Sequence, residues 1–328
     1  MRPVHVGYAA MSGGVPPREL VELCRLAEHA GFSGVMAADQ LQPWLPVHDE
    51  APHVWTLLAA IAEHTNGDLG PGAVAPIHTV HPFVIAQASA TLAALHPGRH
   101  WLGIGAGEAL SAHIAGRYWP EAPERLEMMW EAVDVIRKLF SGKEVRHRGE
   151  YVALEKSRLW TIDEKPPVLI ATDGPVTARR AGREADGIIT TASSVEKVAA
   201  LMSRFDEGAR DAGRSPSSLL KVLRVQLSWA PTQEEAERAA VEQWPMAAFG
   251  AVKSDLRSPY DVEQLTRRVR ADDLHGRLLI TSDPDVIRAQ LQRYLDLGID
   301  RLYLHNVGQH QRDWIATAGR EIVPRLTA

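Results

Sequence analysis

One short apolar run ends in three side chains that could do chemistry. The stretch GVMAADQLQPW runs from Gly34 to Trp44, and Asp39, Gln40 and Trp44 follow its apolar part. A carboxylate can hold or take a proton, an amide can orient a ligand by hydrogen bonds, and an indole can pack against another ring. An Asp at a strand end is as often a turn former or a helix cap. It is the combination that indicates a ligand-binding surface.

A second carboxylate, Glu108, follows a glycine-rich run. A dinucleotide-binding fingerprint in LGIGAGEAL would need glycines at 103, 105 and 108, but Glu108 occupies the last position. The remaining interpretation is a strand end where Gly107 lets the backbone approach a ligand and Glu108 acts as an acid or base. The alternative is a glutamate that is favoured only by a helix dipole.

A third group of candidates surrounds a turn suited to an anion. Residues 169–182, LIATDGPVTARRAG, indicate a strand, a Gly-Pro turn and a helix start. Backbone N–H groups in such a turn can bind an anion, and Thr190 and Thr191 at the end of the next strand have hydroxyls to add. Lys253 and Arg277 either meet a second anion or are ordinary surface charges.

Composition excludes several classes of function. The 328 residues carry a net charge of −5, so no electrostatic footprint for nucleic acid or an anionic membrane is visible. Cys24 is the only cysteine, which rules out an intrachain disulfide and a multi-cysteine metal site. No HExxH, GxSxG or GxxxxGK[ST] motif occurs, and no apolar run reaches the length of a membrane span. We therefore expect no metal site and a cytoplasmic location.

The elements that must position these residues alternate along the chain. Eight β-rich runs are separated by segments with helical periodicity, which predicts an α/β fold with a parallel sheet covered by helices. A (β/α)8 TIM barrel formed by a single domain, residues 1–328, fits best, and an open doubly wound sheet is the alternative. The predicted strands are VHVGYAA, GVMAAD, PGAVAP, HWLGIGAG, PVLIAT, GIITTA, VLRVQLSWA and RLYLHNVG.

Two helices have clear boundaries, and two regions depart from the alternation. Pro17 and Gly31 suit the start and stop of a first helix with Leu20, Leu23, Cys24 and Ala27 on one face; Ser282 and Gly298 suit a later one. Residues 141–166 predict a β-hairpin insertion, and residues 245–276 a long polar connection. Insertions after barrel strands usually shape the mouth of the active site.

Several stretches together resemble the luciferase-like flavin and deazaflavin oxidoreductases, in the branch of coenzyme F420-dependent glucose-6-phosphate dehydrogenase. They include PRELVELCRLAEHAGF, ADQLQPW, HPFVIAQASATLAALHPGR, LGIGAGEAL, AGREADGIITTAS and SDPDVIRAQLQRYLDLGIDRLYLHNVGQHQRDW, and the resemblance runs essentially from end to end. It implies a TIM barrel that binds F420. A sister group that uses FMN is similar in VQLSWAPTQEEAERAAVEQW and LYLHNVGQHQR, so FMN is the alternative cofactor.

The resemblance also implies residue roles. Glu108 matches a proton donor, Trp44 a ring over the active centre, and Gln40 the position of a catalytic base. Lys253 and Arg277 match two residues of a sugar-phosphate seat, and the Ala73-Val74 bond matches a non-proline cis peptide behind the cofactor ring. The implied cofactor-binding residues are Asp39, Ala73, Val74, Gly107, Ala171, Thr172, Gly174 and Thr191.

Four positions depart from the dehydrogenase pattern. Gln40 replaces the histidine that is the presumed base, and an amide has no titratable nitrogen and can only orient a substrate. Gly13 replaces a glutamate at the substrate mouth, and Ser194 replaces a third phosphate-binding lysine. Asp173 places a negative charge in the turn expected to hold a phosphate. The first three changes argue against glucose 6-phosphate as the substrate, and Asp173 argues against a cofactor phosphate in its turn.

The sequence therefore supports one leading hypothesis and two alternatives. The leading one is hydride transfer between F420 and a small, anionic organic substrate, in a homodimer that binds neither nucleic acid nor membrane. The second is an FMN-dependent luciferase-like monooxygenase, and the third is a cofactor-binding protein with little catalysis.

Overall fold

Strands and helices alternate through the chain. The computed structural model describes residues 4–11 and 13–327, without the side chain of Ala251. The strands in these residues are β1 (His5–Ala10), β2 (Gly34–Ala37), β3 (Asp68–Pro71), β4 (Leu102–Ile104), β5 (Val145–Arg148), β6 (Ala153–Ser157), β7 (Val168–Ala171), β8 (Gly187–Thr191), β9 (Leu220–Ser228), β10 (Leu279–Ile280) and β11 (Arg301–Asn306).

Eight of the described strands form a ring of parallel neighbours. Their order is β3-β2-β1-β11-β9-β8-β7-β4, and β10 pairs with the end of β9. The ring is closed between β3 and β4 by two isolated parallel bridges, Leu69 with His100 and Val74 with Ile104. The (β/α)8 barrel predicted from the alternation is confirmed, and the open doubly wound sheet is wrong.

Helices cover the outside of the barrel. The first one confirms its sequence pattern, since it starts at Pro17 and buries Leu20, Leu23, Cys24 and Ala27. The helices in the described residues are α1 (Pro17–His29), α2 (Val54–Ala62), α3 (Pro82–Leu95), α4 (Ala109–Ala112), α5 (Ala122–Leu139), α6 (Pro175–Glu184), α7 (Val195–Asp211), α8 (Gln233–Gln243), α9 (Pro259–Thr266), α10 (Ala271–Leu274), α11 (Pro284–Leu295) and α12 (Gln311–Thr317).

Apolar side chains fill the barrel from the inside as well as around it. Inward residues of alternating strand positions form one cluster, and the opposite strand faces pack on the helices in a larger one. Inside the barrel, Trp101 Nε1 donates a 3.2 Å hydrogen bond to the Tyr303 hydroxyl. The interior is therefore a packed core, which leaves only the strand ends for a ligand. The inner cluster comprises Ala9, Met36, Trp101, Leu169, Ile189, Val222 and Tyr303.

Two local predictions from the sequence are wrong by a few residues. The third strand is Asp68–Pro71, which pairs with β2, rather than PGAVAP at 71–76. Its short, glycine- and proline-containing sequence becomes a strand because the neighbouring strand supplies the hydrogen bonds. Asp283, not Ser282, caps α11, since its carboxylate accepts a hydrogen bond from Asp285 N.

The two insertions differ in structure. Within residues 141–166, β5 and β6 form an antiparallel hairpin. Within residues 245–276, the chain forms a 3-10 segment, Pro245–Asp255, followed by α9 and α10. Met246, Val262 and Leu274 from this region share an apolar cluster with Trp44, so the segment is a packed cover over one side of the barrel mouth. None of the helices in the described part of the chain combines the length and apolar composition needed to cross a membrane.

Candidate active site

A cavity of about 1060 Å³ lies at the carboxyl ends of the barrel strands. This is the end of a (β/α)8 barrel at which active sites are built. The structure brings nearly all of the predicted site residues to its wall; Gly174 is the exception. Those residues are Asp39, Gln40, Trp44, Ala73, Val74, Gly107, Glu108, Ala171, Thr172, Thr191, Lys253 and Arg277.

One wall of the cavity, called the flat wall, is lined by the small residues Gly105, Ala73 and Ala171. A Cβ atom built on Gly105 would lie 3.5 Å from Ala171 Cβ and 3.7 Å from Ala73 Cβ. Gly107 has φ of +72°, and a Cβ there would come within 2.9 Å of Ala75. These positions bring backbone, rather than side chains, to the surface, so a flat ring system can lie against this wall.

The cis peptide bond is one residue earlier than predicted. It joins Gly72 to Ala73, whereas the sequence indicated Ala73-Val74. Gly72 N donates to Ala37 O on one side, and Val74 N donates to Gly103 O on the other. The bond therefore lies where the chain changes partner from β2 to β4, and Val74 belongs to the bridge with β4.

The loop after β2 is fixed to the segment that carries Glu108. Leu41 N donates to Ser111 Oγ at 3.3 Å, and Gln42 Nε2 donates to Leu110 O at 2.8 Å. Trp44 is 5% exposed and packs in the apolar cluster of the 245–276 cover. These contacts bring Gln40 and Trp44 to the same side of the cavity as Glu108.

Two carboxyl groups at the cavity have raised pKa values. Burial raises the pKa of Glu108 to about 7, although Lys253 and Arg224 lower it. Burial also raises the pKa of Asp39 to about 6, with His53 acting in the opposite direction. Desolvation disfavours the charged form of a carboxyl group, so both can exchange protons near neutral pH. Glu108 starts α4 without capping it through its side chain, so the carboxyl is free to face the cavity.

Lys253 lies above the ring of Trp44. Its Nζ is 5.7 Å from the centre of the indole, within the range of a cation–π contact. Burial and the charge of Arg224 lower the pKa of Lys253. Arg277 is exposed at the rim, close to Gly250 of the 3-10 segment. The two predicted substrate residues therefore border the same cavity at different depths.

The expected anion seat after β7 is partly occupied by the protein itself. The Asp173 carboxylate accepts a 2.6 Å hydrogen bond from Thr190 Oγ1 and a 3.2 Å one from Thr191 N. Gly174 N donates to Thr172 Oγ1 at 3.0 Å. These N–H groups already have partners. The helix that follows starts at Pro175, and its first-turn N–H groups are the remaining donors.

Comparison with known proteins identifies the family. Residues 2–301 match the family model described as luciferase-like monooxygenase. The chain belongs to the luciferase-like family. An F420-dependent glucose-6-phosphate dehydrogenase from Microbacterium testaceum is 34% identical over 328 residues, covering 99% of this chain and 98% of the relative.

Two solved structures share the fold. An F420-dependent secondary alcohol dehydrogenase in complex with an F420-acetone adduct is 27% identical, with a TM-score of 0.92 over 99% of this chain and 100% of that one. The oxygenating constituent of 3,6-diketocamphane monooxygenase from Pseudomonas putida, in complex with FMN, is 19% identical, with a TM-score of 0.71 over 99% and 100% of the chains. The latter likeness shows the fold alone.

Three histidines of this luciferase-like protein have structural hydrogen bonds. His48 Nε2 lies 3.1 Å from Gln243 O, and His78 Nε2 lies 3.1 Å from Tyr118 O. His81 caps α3 by accepting a hydrogen bond from Phe83 N. Among the described residues, no group of three or more His, Cys, Asp or Glu side chains could hold a metal ion.

Sequence reasoning missed two polar residues of the luciferase-like site, Arg224 and Gln226. Both lie on β9 and line the cavity. A signal was present, since in VLRVQLS the polar residues alternate with Leu223, Val225 and Leu227, which pack outward. Period-two alternation inside a strand of a barrel buried on both faces marks a polar inner position.

Proposed function

We propose that this luciferase-like protein is a coenzyme F420-dependent oxidoreductase that moves a hydride between the cofactor and a small organic substrate. One observation carries the proposal. A flat wall of Gly105, Ala73 and Ala171 faces a cavity in which the carboxyl of Glu108 has a pKa near 7. The identity to F420-dependent enzymes over nearly the whole chain gives independent support.

The cavity fits a flat tricyclic cofactor. Its volume of about 1060 Å³ exceeds what a small substrate alone needs, and its small-residue wall offers backbone against a ring face. Asp39, Ala73, Val74, Gly107 and Ala171 would border the ring. The polar positions beyond them, Thr172, Gly174 and Thr191, lead toward the first turn of α6, where an acidic tail would be favoured by the helix dipole. When bound, F420 supplies or accepts a hydride at C5 of its deazaflavin ring.

The residues around the ring would handle the proton and the orientation of the substrate. With a pKa of about 7, the Glu108 carboxyl is protonated below that pH and can donate its proton to a substrate oxygen or carbon. Gln40 orients the substrate by hydrogen bonds and cannot take a proton. Trp44, nine-tenths buried or more, covers the centre and keeps water away.

The substrate would be small and anionic. Lys253 and Arg277 place two positive charges at the same cavity, which favours an anion through their combined field. Ser194 stands where the resemblance implies a lysine in the sugar-phosphate dehydrogenases. Its side chain caps α7 instead, by accepting a hydrogen bond from Lys197 N. A substrate other than glucose 6-phosphate, reduced at a carbonyl or an activated double bond, agrees with this change and with Gln40.

Titration of the purified apoprotein with F420 and, separately, with FMN tests the proposal. Quenching of tryptophan fluorescence reports binding, since Trp44 lies at the cavity. We expect F420 to bind at least tenfold more tightly than FMN, about 1.4 kcal/mol. A preference for FMN would indicate oxygen-dependent monooxygenase chemistry instead. F420 binding with no turnover over a broad substrate panel would indicate a binding protein, and binding of neither cofactor contradicts the proposal.

We also propose a cytoplasmic homodimer that binds neither nucleic acid nor membrane. Closed two-fold dimers are the commonest oligomers of soluble enzymes, and the net charge of −5 disfavours polyanionic partners. Light scattering on the purified protein measures the mass; a monomer at micromolar concentration contradicts the dimer.

A further inference from the structure

The inner face of β9 carries polar side chains that point into the cavity. Val222 belongs to the apolar core inside the barrel, and Arg224 and Gln226 follow it on the same face toward the mouth. Arg224 Nη2 donates to Thr191 Oγ1 at 3.1 Å, which fixes the guanidinium. Its Nε atom is buried without a hydrogen-bond partner. Gln226 is 8% exposed, and its buried Nε2 atom also lacks a partner.

Two further side chains beside Gln226 share this property. His305 of β11 pairs in register with Gln226, and Trp244 meets the His305 ring edge-on at 4.9 Å. Both are buried, and both His305 Nδ1 and Trp244 Nε1 lack a partner in the described part of the chain. Buried polar groups of folded proteins are normally hydrogen-bonded. Three of these nitrogen atoms belong to residues that line the cavity, Arg224, Gln226 and Trp244, and they indicate a surface that can bind a ligand.

This wall lies across the cavity from Ala73, the part of the flat wall that follows β3, whereas only β8 separates it from Ala171. In the ring of strands, β9 is separated from β3 by three strands in either direction. A ligand ring against Ala73 of the flat wall therefore leaves the space beside Arg224 and Gln226 to a second molecule. The unpartnered Nε of Arg224 and Nε2 of Gln226 are available to that second molecule, and Arg224 Nη2 holds Thr191 on the side where the polar tail of a cofactor leaves toward α6.

The chemistry of the wall suits a carboxylate. Arg224 presents a planar fork of N–H donors, which matches the two oxygens of a carboxylate, and Gln226 adds a neutral donor. The positive charge of Arg224 acts together with that of Lys253, which lines the same cavity. The nearby acidic groups are Glu108 and Asp173; Asp173 is already held by Thr190 and Thr191.

We propose that Arg224 and Gln226 bind a carboxylate of the substrate, which makes the substrate a small organic acid. This inference rests on the proposed function, because it assumes a cofactor ring on the flat wall. Lys253 inside the cavity and Arg277 at its rim then add positive charge, and the β9 residues make the direct contact.

Fluorine NMR of 3,3,3-trifluoropropionate with the F420-loaded protein tests the inference. The amide of the same acid is the neutral matched probe. We expect the acid signal to broaden on binding, and the amide to bind at least tenfold more weakly. Loading with F420 is measured first by fluorescence, so failure of the cofactor to bind is recorded separately as failure of the proposed function.

Substitutions then assign the contact. Arg224→Gln and Gln226→Leu should each weaken binding of the acid at least tenfold. Both are measured at saturating F420, because Arg224 also holds Thr191 on the cofactor side, and Gln226→Leu should leave F420 binding within twofold of the original. Arg204→Gln is the matched control, since Arg204 lines the same cavity but pairs with Glu207. If Arg224→Gln unfolds, Gln226→Leu alone decides. Equal binding of the acid to the variants and the original protein, or equal binding of acid and amide, overturns the inference.

Discussion

Glu108 has an unusual acidity because of its surroundings rather than its own chemistry. A solvated glutamate has its pKa near 4.5, and burial at the barrel mouth raises that of Glu108 to about 7. Lys253 and Arg224 oppose the shift by favouring the charged carboxylate, and Asp39 adds to it. A general acid works best when its pKa is close to the working pH. The position is therefore suited to proton transfer in either direction.

Replacing Glu108 with Gln removes that proton and keeps the size of the side chain. We expect kcat/KM to fall by about 10²–10⁴-fold, the usual contribution of a general acid or base. In the direction in which Glu108 donates a proton, kcat/KM should be flat below pH 7 and fall above it, because the carboxylate cannot donate. Steady-state rates from pH 5 to 9 measure this.

The variant should lack the pH limb while binding F420 unchanged. A full-rate variant with an unaltered pH profile contradicts the role of Glu108. Stability offers a second readout with a defined sign. Since the folded pKa exceeds the unfolded value of 4.5, the folded state holds the proton more tightly. The free energy of unfolding should therefore fall as pH rises from about 4.5 through about 7, and less so in Glu108→Gln.

At the scale of elements, α6 and α7 touch through glycines. A Cβ atom on Gly208 would lie 1.8 Å from Arg179 O, and one on Gly182 would lie 2.0 Å from Phe205 O. Each glycine thus lets the backbone of one helix reach the backbone of the other. The first turns of both helices border the cavity through Pro175 and Lys197, so the spacing of the pair also shapes the site.

Gly208→Ala should separate these helices. The added methyl meets backbone, which cannot rotate away, and overpacking of this kind costs about 1–3 kcal/mol. Urea denaturation measures the free energy of unfolding, and F420 affinity should fall with it as Pro175 and Lys197 shift. Ser203→Ala, exposed on the same helix, is the control for helix propensity. Equal stability of Gly208→Ala and the control contradicts the prediction.

At the scale of the whole molecule, the barrel has one thin seam. β9 and β11 pair over six residues, whereas β3 and β4 meet only at two isolated bridges. Four backbone hydrogen bonds hold this seam, two on each side of the Gly72-Ala73 bond. Their donors are Leu69 N, Trp101 N, Val74 N and Gly105 N. Fewer hydrogen bonds per unit length make this the easiest place to open.

Hydrogen exchange should show that opening. We expect amides of residues 72–76 and 103–106 to exchange at least tenfold faster than those of residues 222–227, when followed by mass spectrometry. Ala73 and Gly105 line the cavity, so F420 at a hundred times its Kd should slow hydrogen exchange of the seam amides. It should also raise the global free energy of unfolding by about 2.7 kcal/mol. Uniform exchange around the ring, with or without F420, is the contradictory result.

Most elements of this fold follow from local patterns. The buried face of α1 can be predicted from the sequence because residues three and four apart share a helix face. Cys24 lies on that face as predicted. The strand Asp68–Pro71 cannot be predicted from its own sequence, because only pairing with β2 makes it a strand. The cap of α11 is Asp283 and not the predicted Ser282. Either of two neighbouring polar residues can cap a helix, and only the backbone conformation decides between them.

The sequence by itself determined the alternation of strands and helices, the small residues at the strand ends, and the carboxylates Asp39 and Glu108 beside them. These are properties of residue type and spacing along the chain. Only the tertiary structure decided the pKa of Glu108, the hydrogen bonds of Thr190 and Thr191 to Asp173, and the position of Arg224 and Gln226 at the wall of the same cavity. Desolvation, charge and hydrogen-bond partners act through space, between residues that closure of the barrel brings together from distant parts of the chain.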